Sequence, residues 1–340
     1  MTALERPLQL EGPAQALASH WHPVALRSEV AREPFGTTLL GVPIVLFEDG
    51  DGEVNCLRDL CVHRGAKLSL GCVVDGRLRC PFHGWEYDGS GACVRIPQLD
   101  ADEPIPSKAK AFVHDCVVRY GLVWVRLLPG EDPIPEFPEW DDPRFLTAPC
   151  LPFTWAASAE RMVENFTDFA HLAFVHPGLL ADPDQPAVPH HEVTRDDTSL
   201  SYGIELPLVA VGQGGEPTVV AVNIDYVLRA PYSIRTVRRQ GGVFTRATFF
   251  AVQPLTDTDG RGFMVLAVAK EGEGAAEVRE AEARLLAMVE LQDVVQRQDQ
   301  PIVETQRPEH LPFDLSDELH LRFDRVSVQY RHLLRARGLR

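Results

Sequence analysis

Residues 61–85, CVHRGAKLSLGCVVDGRLRCPFHGW, decide how this chain is read. They hold two cysteine–histidine pairs, Cys61-x-His63 and Cys80-x-x-His83, with sixteen residues between His63 and Cys80. A structural zinc finger usually pairs cysteine with cysteine and histidine with histidine. Here each half brings one of each. That split suits a binuclear iron–sulfur cluster in which two thiolates hold one iron and two imidazoles the other. Pro81, Gly65, Gly71 and Gly84 fit tight loops whose backbone N–H groups point at sulfur. Zinc stays open as the alternative at this point.

Working outward, residues 20–128 read as short strands rich in Val, Leu, Trp and Tyr, such as TTLLGVPIVLFE, EVNCLRDL and YGLVWVRLL. Turns such as EDGDGE and VDGR separate them, so this is a small all-β domain after an N-terminal extension, 1–19. Residues 129–150 carry Pro129, Pro133, Pro135, Pro138 and Pro143 among acidic residues and read as a linker. Residues 151–340 form a second domain. It runs from a helical stretch over 154–176, through strands over 190–270, to a long helix over 275–304. A curved antiparallel sheet with a long C-terminal helix is an α+β arrangement able to enclose a small-molecule pocket.

The net charge of -16 argues against nucleic acid or an anionic membrane as partner, while a basic electron donor stays compatible. Glu5, Arg6 and Pro7 stand where a signal peptide needs an apolar run, and no stretch is apolar enough to span a bilayer. A cytoplasmic protein is expected, and with seven cysteines in a reducing compartment disulfides are not. Cys56, Cys72, Cys93, Cys116 and Cys150 lack histidines at ligand spacing and read as small core residues.

A second constellation lies in ENFTDFAHLAFVHPG, residues 164–178, with Asp168, His171 and His176. Asp168 and His171 share one face of an ideal helix. His171 and His176 stand about 140° apart on it, so both face one metal only if the helix distorts or ends between them. Two histidines and a carboxylate with positions left open is the ligand set of oxygen-activating non-haem Fe(II). Ordinary packing and hydrogen bonding of these histidines is the competing reading. A third ligand can come from Asp293, Asp299 or Glu304. Ala281, Leu285, Met288, Gln292, Val295, Asp299 and Ile302 fall on one helical stripe, so Asp299 points inward and needs a partner. Asp293 lies off the stripe, four residues before Arg297, and reads as a solvated pair.

CVHRGAKLSLG…LRCPFHGWEYD, followed by Asn165, Asp168, His171 and His176 as N-x-x-D-x-x-H-x4-H, resembles the Rieske non-haem iron oxygenases over nearly the whole chain. The length and layout resemble the oxygenase (α) subunits of the vanillate and dicamba demethylase type, and RYGLVWVRL and DRVSVQYRHLLRARG those of alkaloid hydroxylases. The resemblance implies a helix-grip catalytic domain. It also implies a Rieske [2Fe–2S] cluster on Cys61, His63, Cys80 and His83, and a mononuclear Fe(II) on His171, His176 and Asp299. Asp168 is implied as a catalytic bridge from His83 of one subunit to His171 of the next, which requires a ring of subunits, an α3 homotrimer. The implied reaction is O2-dependent hydroxylation or demethylation of a small ring compound, with aromatic cis-dihydroxylation as alternative. A Rieske electron carrier has no use for the second constellation. No G-x-G-x-x-G loop is present, so electrons are expected from NAD(P)H through a separate reductase or ferredoxin. Pocket residues are expected on strands over 200–265, with Asn223, Asp225, Arg235 and Phe249 as candidates.

Overall fold

The computed structural model describes residues 10–31, 33–211 and 217–339. The chain divides into two compact units, residues 1–134 with 254–256 and residues 135–253 with 257–340. Of the N-terminal extension, residues 1–9 lie outside the described residues, and Pro13–Leu17 form the short helix α1.

The first unit is built from β1 (His22–Leu26), β2 (Phe35–Leu39), β3 (Val42–Glu48), β4 (Val54–Arg58), β5 (Cys72–Val74), β6 (Arg77–Arg79), β7 (Glu86–Tyr87), β8 (Cys93–Arg95), β9 (Val113–Arg119) and β10 (Leu122–Arg126). Six strands form one antiparallel sheet in the order β1-β10-β9-β4-β3-β2, and four form another in the order β5-β6-β7-β8. The run TTLLGVPIVLFE, expected as one strand, is a hairpin. Leu40 and Gly41 both take positive φ, 52° and 76°, the pair of values that a tight two-residue turn between right-twisted strands demands.

β3 is apolar on both faces because it separates two cores. Ile44 and Leu46 pack with Val24, Leu39, Cys56 and Val123. Val45 and Phe47 pack on the other side with Leu57, Leu68, Tyr87 and the two motif cysteines, Cys61 and Cys80. The period of two thus anchors the loops of the first motif to the sheet. Cys56, Cys93 and Cys150 are buried, but Cys72, at the start of β5, is exposed rather than a core residue.

The second unit contains β11 (Phe145–Pro149), β12 (Phe153–Trp155), α2 (Ala159–Thr167), α3 (Leu172–Val175), β13 (Val193–Arg195), β14 (Ser199–Val211), β15 (Pro217–Arg229), β16 (Ser233–Gln240), β17 (Val243–Pro254), β18 (Gly260–Ala269), α4 (Ala275–Val303) and α5 (Arg325–Ala336). Its sheet runs β11-β18-β17-β16-β15-β14-β13, with β12 also on β18. α4 packs on β11 and β18, and α5 on β13 and β14. This is the expected α+β class: an all-β unit followed by a sheet with a long C-terminal helix. The segment 129–150, expected as a linker throughout, contributes β11. Its prolines stop short of the ladder except Pro149, the last residue of an edge strand, where a missing N–H is tolerated. Among the described residues no helix is long and apolar enough to cross a membrane.

His22 on β1 is buried, with Nε2 2.9 Å from the Leu17 carbonyl. Burial pulls its pKa down to about 4, the hydrogen bond to Leu17 opposing and His20 adding to the fall. The unfolded chain therefore binds a proton at His22 that the folded chain refuses between pH 6.5 and about 4. Stability should fall as pH drops through that window, with His22 contributing on the order of 3 kcal/mol. Urea unfolding of His22→Gln should show a flatter decline over the same range.

Candidate metal centres

The two Cys–His loops have the same construction. Cys61 N–H donates to the Ala66 carbonyl at 2.8 Å, and Gly65 N–H donates back to the Cys61 carbonyl at 2.8 Å. Cys80 N–H donates to the Trp85 carbonyl at 2.8 Å, and Gly84 N–H to the Cys80 carbonyl at 3.1 Å. Each loop turns on a glycine four residues after its cysteine, both at φ 73°, where a Cβ would strain the backbone. The loops bring the His63 and His83 rings to 4.6 Å between centroids. Trp85 stacks on His63 at 4.5 Å and 3°, and Tyr87 Oη lies 3.2 Å from Cys61 Sγ.

The hairpin that carries Cys80 and His83 is pinned by charge. Glu86 is buried, with Arg79 at 2.7 Å, Arg95 at 2.8 Å and Arg77 at 3.8 Å. Burial raises the Glu86 carboxyl, but Arg95 and Arg79 outweigh it and hold it below the usual carboxylate range. Two buried thiols beside two imidazoles, with His63 Nδ1 making no hydrogen bond among the described residues, form a donor set that fits a two-iron cluster of split ligation.

The second constellation sits where a helix is broken. Residues 154–176 are not one helix, and Asp168 and His171 do not share a helical face. Thr167 Oγ1 bonds back to the Val163 and Glu164 carbonyls, and Asp168 leaves the helix at φ -82°, ψ 131°. Asp168 Oδ1 then accepts from Ala170 N–H at 2.7 Å, a side-chain turn that competes with continued helix. α3 begins after His171 and ends before His176, so the break removes the angular mismatch between the two histidines.

Asp299 comes to them from α4. His176 Nε2 is 3.0 Å and His171 Nε2 3.5 Å from Asp299 Oδ1, and one ligand atom from each residue lies within 4.8 Å of the others. Two donors about 2.1 Å from one ion stand roughly 3.0–3.4 Å apart at angles between octahedral and tetrahedral. His176 Nε2 and Asp299 Oδ1 are buried and, among the described residues, make no hydrogen bond, so both are directed at a common point without satisfying each other. These residues fit a divalent first-row metal. Asp168 Oδ2 lies 3.4 Å from His171 Nδ1, and its side chain is 40% exposed.

Gln298 is a site residue that pattern reading missed, since nothing in the sequence marks a glutamine off the apolar stripe. Its Oε1 accepts from His176 Nδ1 at 2.7 Å, leaving the Nε2 lone pair toward Asp299. Burial lowers the His176 pKa, but Asp299 and Gln298 outweigh it and raise it above 6.5. The competing carboxylates are accounted for: Asp293 pairs with Arg297, and Glu304 accepts from Ala156 N–H and Gln300. The inward stripe of α4 closes with Val303 rather than Ile302, which is exposed.

The triad lines a cavity enclosing about 930 Å³ counting its open mouth. Its floor is the face of β15–β17 that bears Ile224, Tyr226, Thr236, Arg238, Arg246, Thr248 and Phe250. Phe166 stacks on Phe250 at 4.6 Å to form an apolar wall. The four candidate pocket residues are a correction, because all lie on the opposite face. Asn223 bonds Glu205, Asp225 pairs with Arg239, Arg235 pairs with buried Glu139, and Phe249 packs on Phe137 at 5.5 Å. Alternation along each strand separates the two sets.

The Rieske [2Fe-2S] domain family matches residues 20–117, and the vanillate O-demethylase oxygenase C-terminal domain family matches residues 155–339. Methylxanthine N1-demethylase NdmA of Pseudomonas putida is 34% identical over 94% of this chain and 88% of its own length. The oxygenase component of dicamba O-demethylase from Stenotrophomonas maltophilia is 31% identical over 69% of this chain and 67% of its own. The structure of Pseudomonas putida NdmA with caffeine superposes with a TM-score of 0.80 at 33% identity, covering 95% of this chain and 91% of that one. Dicamba monooxygenase bound to dicamba, at 24% identity and TM-score 0.76 over 95% and 98%, shares the fold.

Titration of the metal-free protein with Co(II) should show visible ligand-field bands that Asp299→Ala and His176→Ala abolish. Gln298→Ala should keep the bands and weaken binding by about 10- to 100-fold. Affinity in the forms that bind should fall as pH is lowered, because protons compete with the metal for the imidazoles and the raised pKa of His176 favours its protonated form.

Proposed function

This chain belongs to the Rieske non-haem iron oxygenases, and on that premise we propose that His171, His176 and Asp299 hold its mononuclear iron, and Cys61, Cys80, His63 and His83 its [2Fe–2S] cluster. It is an O2-dependent oxidoreductase acting on a small ring compound, with electrons from a separate reductase or ferredoxin. When bound, the cluster and the iron supply one-electron transfer and oxygen activation. The observation that carries the assignment is the convergence of two imidazoles and one buried carboxylate, within 4.8 Å, on the wall of an apolar-sided cavity.

The reaction we read is oxidative demethylation, in keeping with relatives named for N- and O-demethylation. In this chain Gln298 fixes the His176 tautomer, and Phe166 and Phe250 exclude water from one side of the cavity. The remainder of the floor holds and orients the ring. A product screen with a surrogate reductase and NADH, using methoxy-arenes and N-methyl heterocycles, separates the reactions by mass. Loss of CH2 is expected; a gain of two oxygens would make the chain a dihydroxylase instead.

We further propose that the working form is a cytoplasmic homotrimer in which Asp168 links His171 to His83 of a neighbouring copy. Three features support it: Asp168 touches His171 at 3.4 Å, is 40% exposed, and stands beside an imidazole nitrogen that makes no hydrogen bond among the described residues. A carboxylate accepting from two imidazoles fixes both tautomers and shortens an electron route. Asp168→Asn should retain iron near three per chain and the Rieske EPR signal, yet lose at least about a hundredfold in turnover. Full turnover by that variant, or by a monomer in sedimentation analysis, overturns the bridge.

A further inference from the structure

Cations in the second unit are generally matched by acids. Arg235 pairs with Glu139, Arg239 with Asp225, Arg161 with Glu164 and Glu318, and Arg331 with Glu164 and Glu318. Arg238 and Arg246 are not. They face one another directly across β16 and β17, and both line the cavity of the metal triad. Among the described residues neither guanidinium has an ion-pair or hydrogen-bond partner. The two carboxylates that line the same cavity, Asp168 and Asp299, lie against His171 and His176 rather than against either arginine.

Like charges placed opposite each other on one sheet face destabilise it, and partial burial adds a desolvation cost. Burial and the neighbouring Arg246 bring Arg238 down to about 10, with Tyr226 opposing, and burial lowers Arg246 as well. Alternation along β16 sends Arg239 to Asp225 on the outer face and leaves Arg238 inward, opposite Arg246. Hydroxyls stand in the next cross-strand row on the same floor, at Tyr226, Thr236 and Thr248. Two unmatched guanidiniums with hydroxyl neighbours, in a cavity otherwise walled by Phe166 and Phe250, are complementary to a ring that carries an oxyanion.

We propose that Arg238 and Arg246 are the specificity residues of this oxygenase, and that its ring substrate bears a carboxylate which they clamp while the ring lies against the aromatic wall. The inference rests on the oxygenase reading above and narrows its substrate class to aromatic or heteroaromatic acids.

The test is equilibrium binding to the holoenzyme, measured calorimetrically without turnover, for 4-methoxybenzoate and its neutral isostere 4-methoxybenzamide. The acid should bind at least about tenfold tighter than the amide. Arg238→Gln and Arg246→Gln should each weaken the acid at least about tenfold and the amide by less, so that the preference for the acid is lost, and Arg246→Lys should recover part of that preference. Equal affinity for acid and amide, no binding of the acid, tighter binding of neutral caffeine than of the acid, or a preference that survives both glutamine variants overturns the proposal. Iron content and the Rieske EPR signal of the same samples report separately on the oxygenase reading, so a failure there is told apart from a failure of the anion clamp.

Discussion

A carboxylate on the inward face of a long helix is the constraint around which the catalytic unit is arranged. Asp299 is buried on α4, where an unmatched charge costs several kcal/mol. The partners that offset it lie more than a hundred residues earlier in the chain, on a segment whose regular structure has to be interrupted to present them. α4 is held against β11 and β18, α2 breaks at Asp168, and the space left between the helices and the sheet becomes the cavity. The Cys–His loops solve the same problem differently. They use left-handed glycines and a buried glutamate among arginines to fix four side chains on two short turns.

The parts of this arrangement that were legible in the sequence are those in which chemistry is written locally. Cys61 with His63 and Cys80 with His83 are each within one loop, so spacing shows one thiol and one imidazole in each half, and the resemblance supplies the two-iron reading. Asp299 could be found because a helix projects every third or fourth residue on one side, and a lone acid on that side stands out. The sheet floor was legible only in part. Alternation tells which residues of β15 share a face, but both faces of β16 and β17 are covered in this unit, so nothing in the pattern says which one looks into the cavity. Polar Asn223, Asp225 and Arg235 attracted attention as functional types, yet their partners on the outer face account for them. The cavity instead holds Arg238 and Arg246, whose significance lies in what they lack.

The break at Asp168 was hidden for a related reason. Residues 159–176 read as one helical stretch, and the angular mismatch between His171 and His176 signals a distortion without locating it. The location is set by Thr167 and Asp168, whose side chains capture nearby backbone groups and offer the chain an exit from the helix. Asp168 therefore ends the helix with one oxygen while the other stays beside His171. The linker was misjudged at its far end because its prolines dominate the composition, whereas the five residues that pair with β18 need only an edge position.

The two-sidedness of β15–β17 bears on how such a protein can change over evolutionary time. Ion pairs and aromatic packing that hold the strands in place, among them Arg235 with Glu139 and Phe249 with Phe137, sit at odd-numbered positions. The cavity floor uses the even-numbered positions between them. Substitutions at Ile224, Thr236, Arg238, Arg246 or Thr248 can then accumulate without touching the residues that keep the sheet folded. Selection for a new ring compound and selection for a stable scaffold act on interleaved but separate sets of codons, so one sheet can be retained while the molecules it accepts diverge.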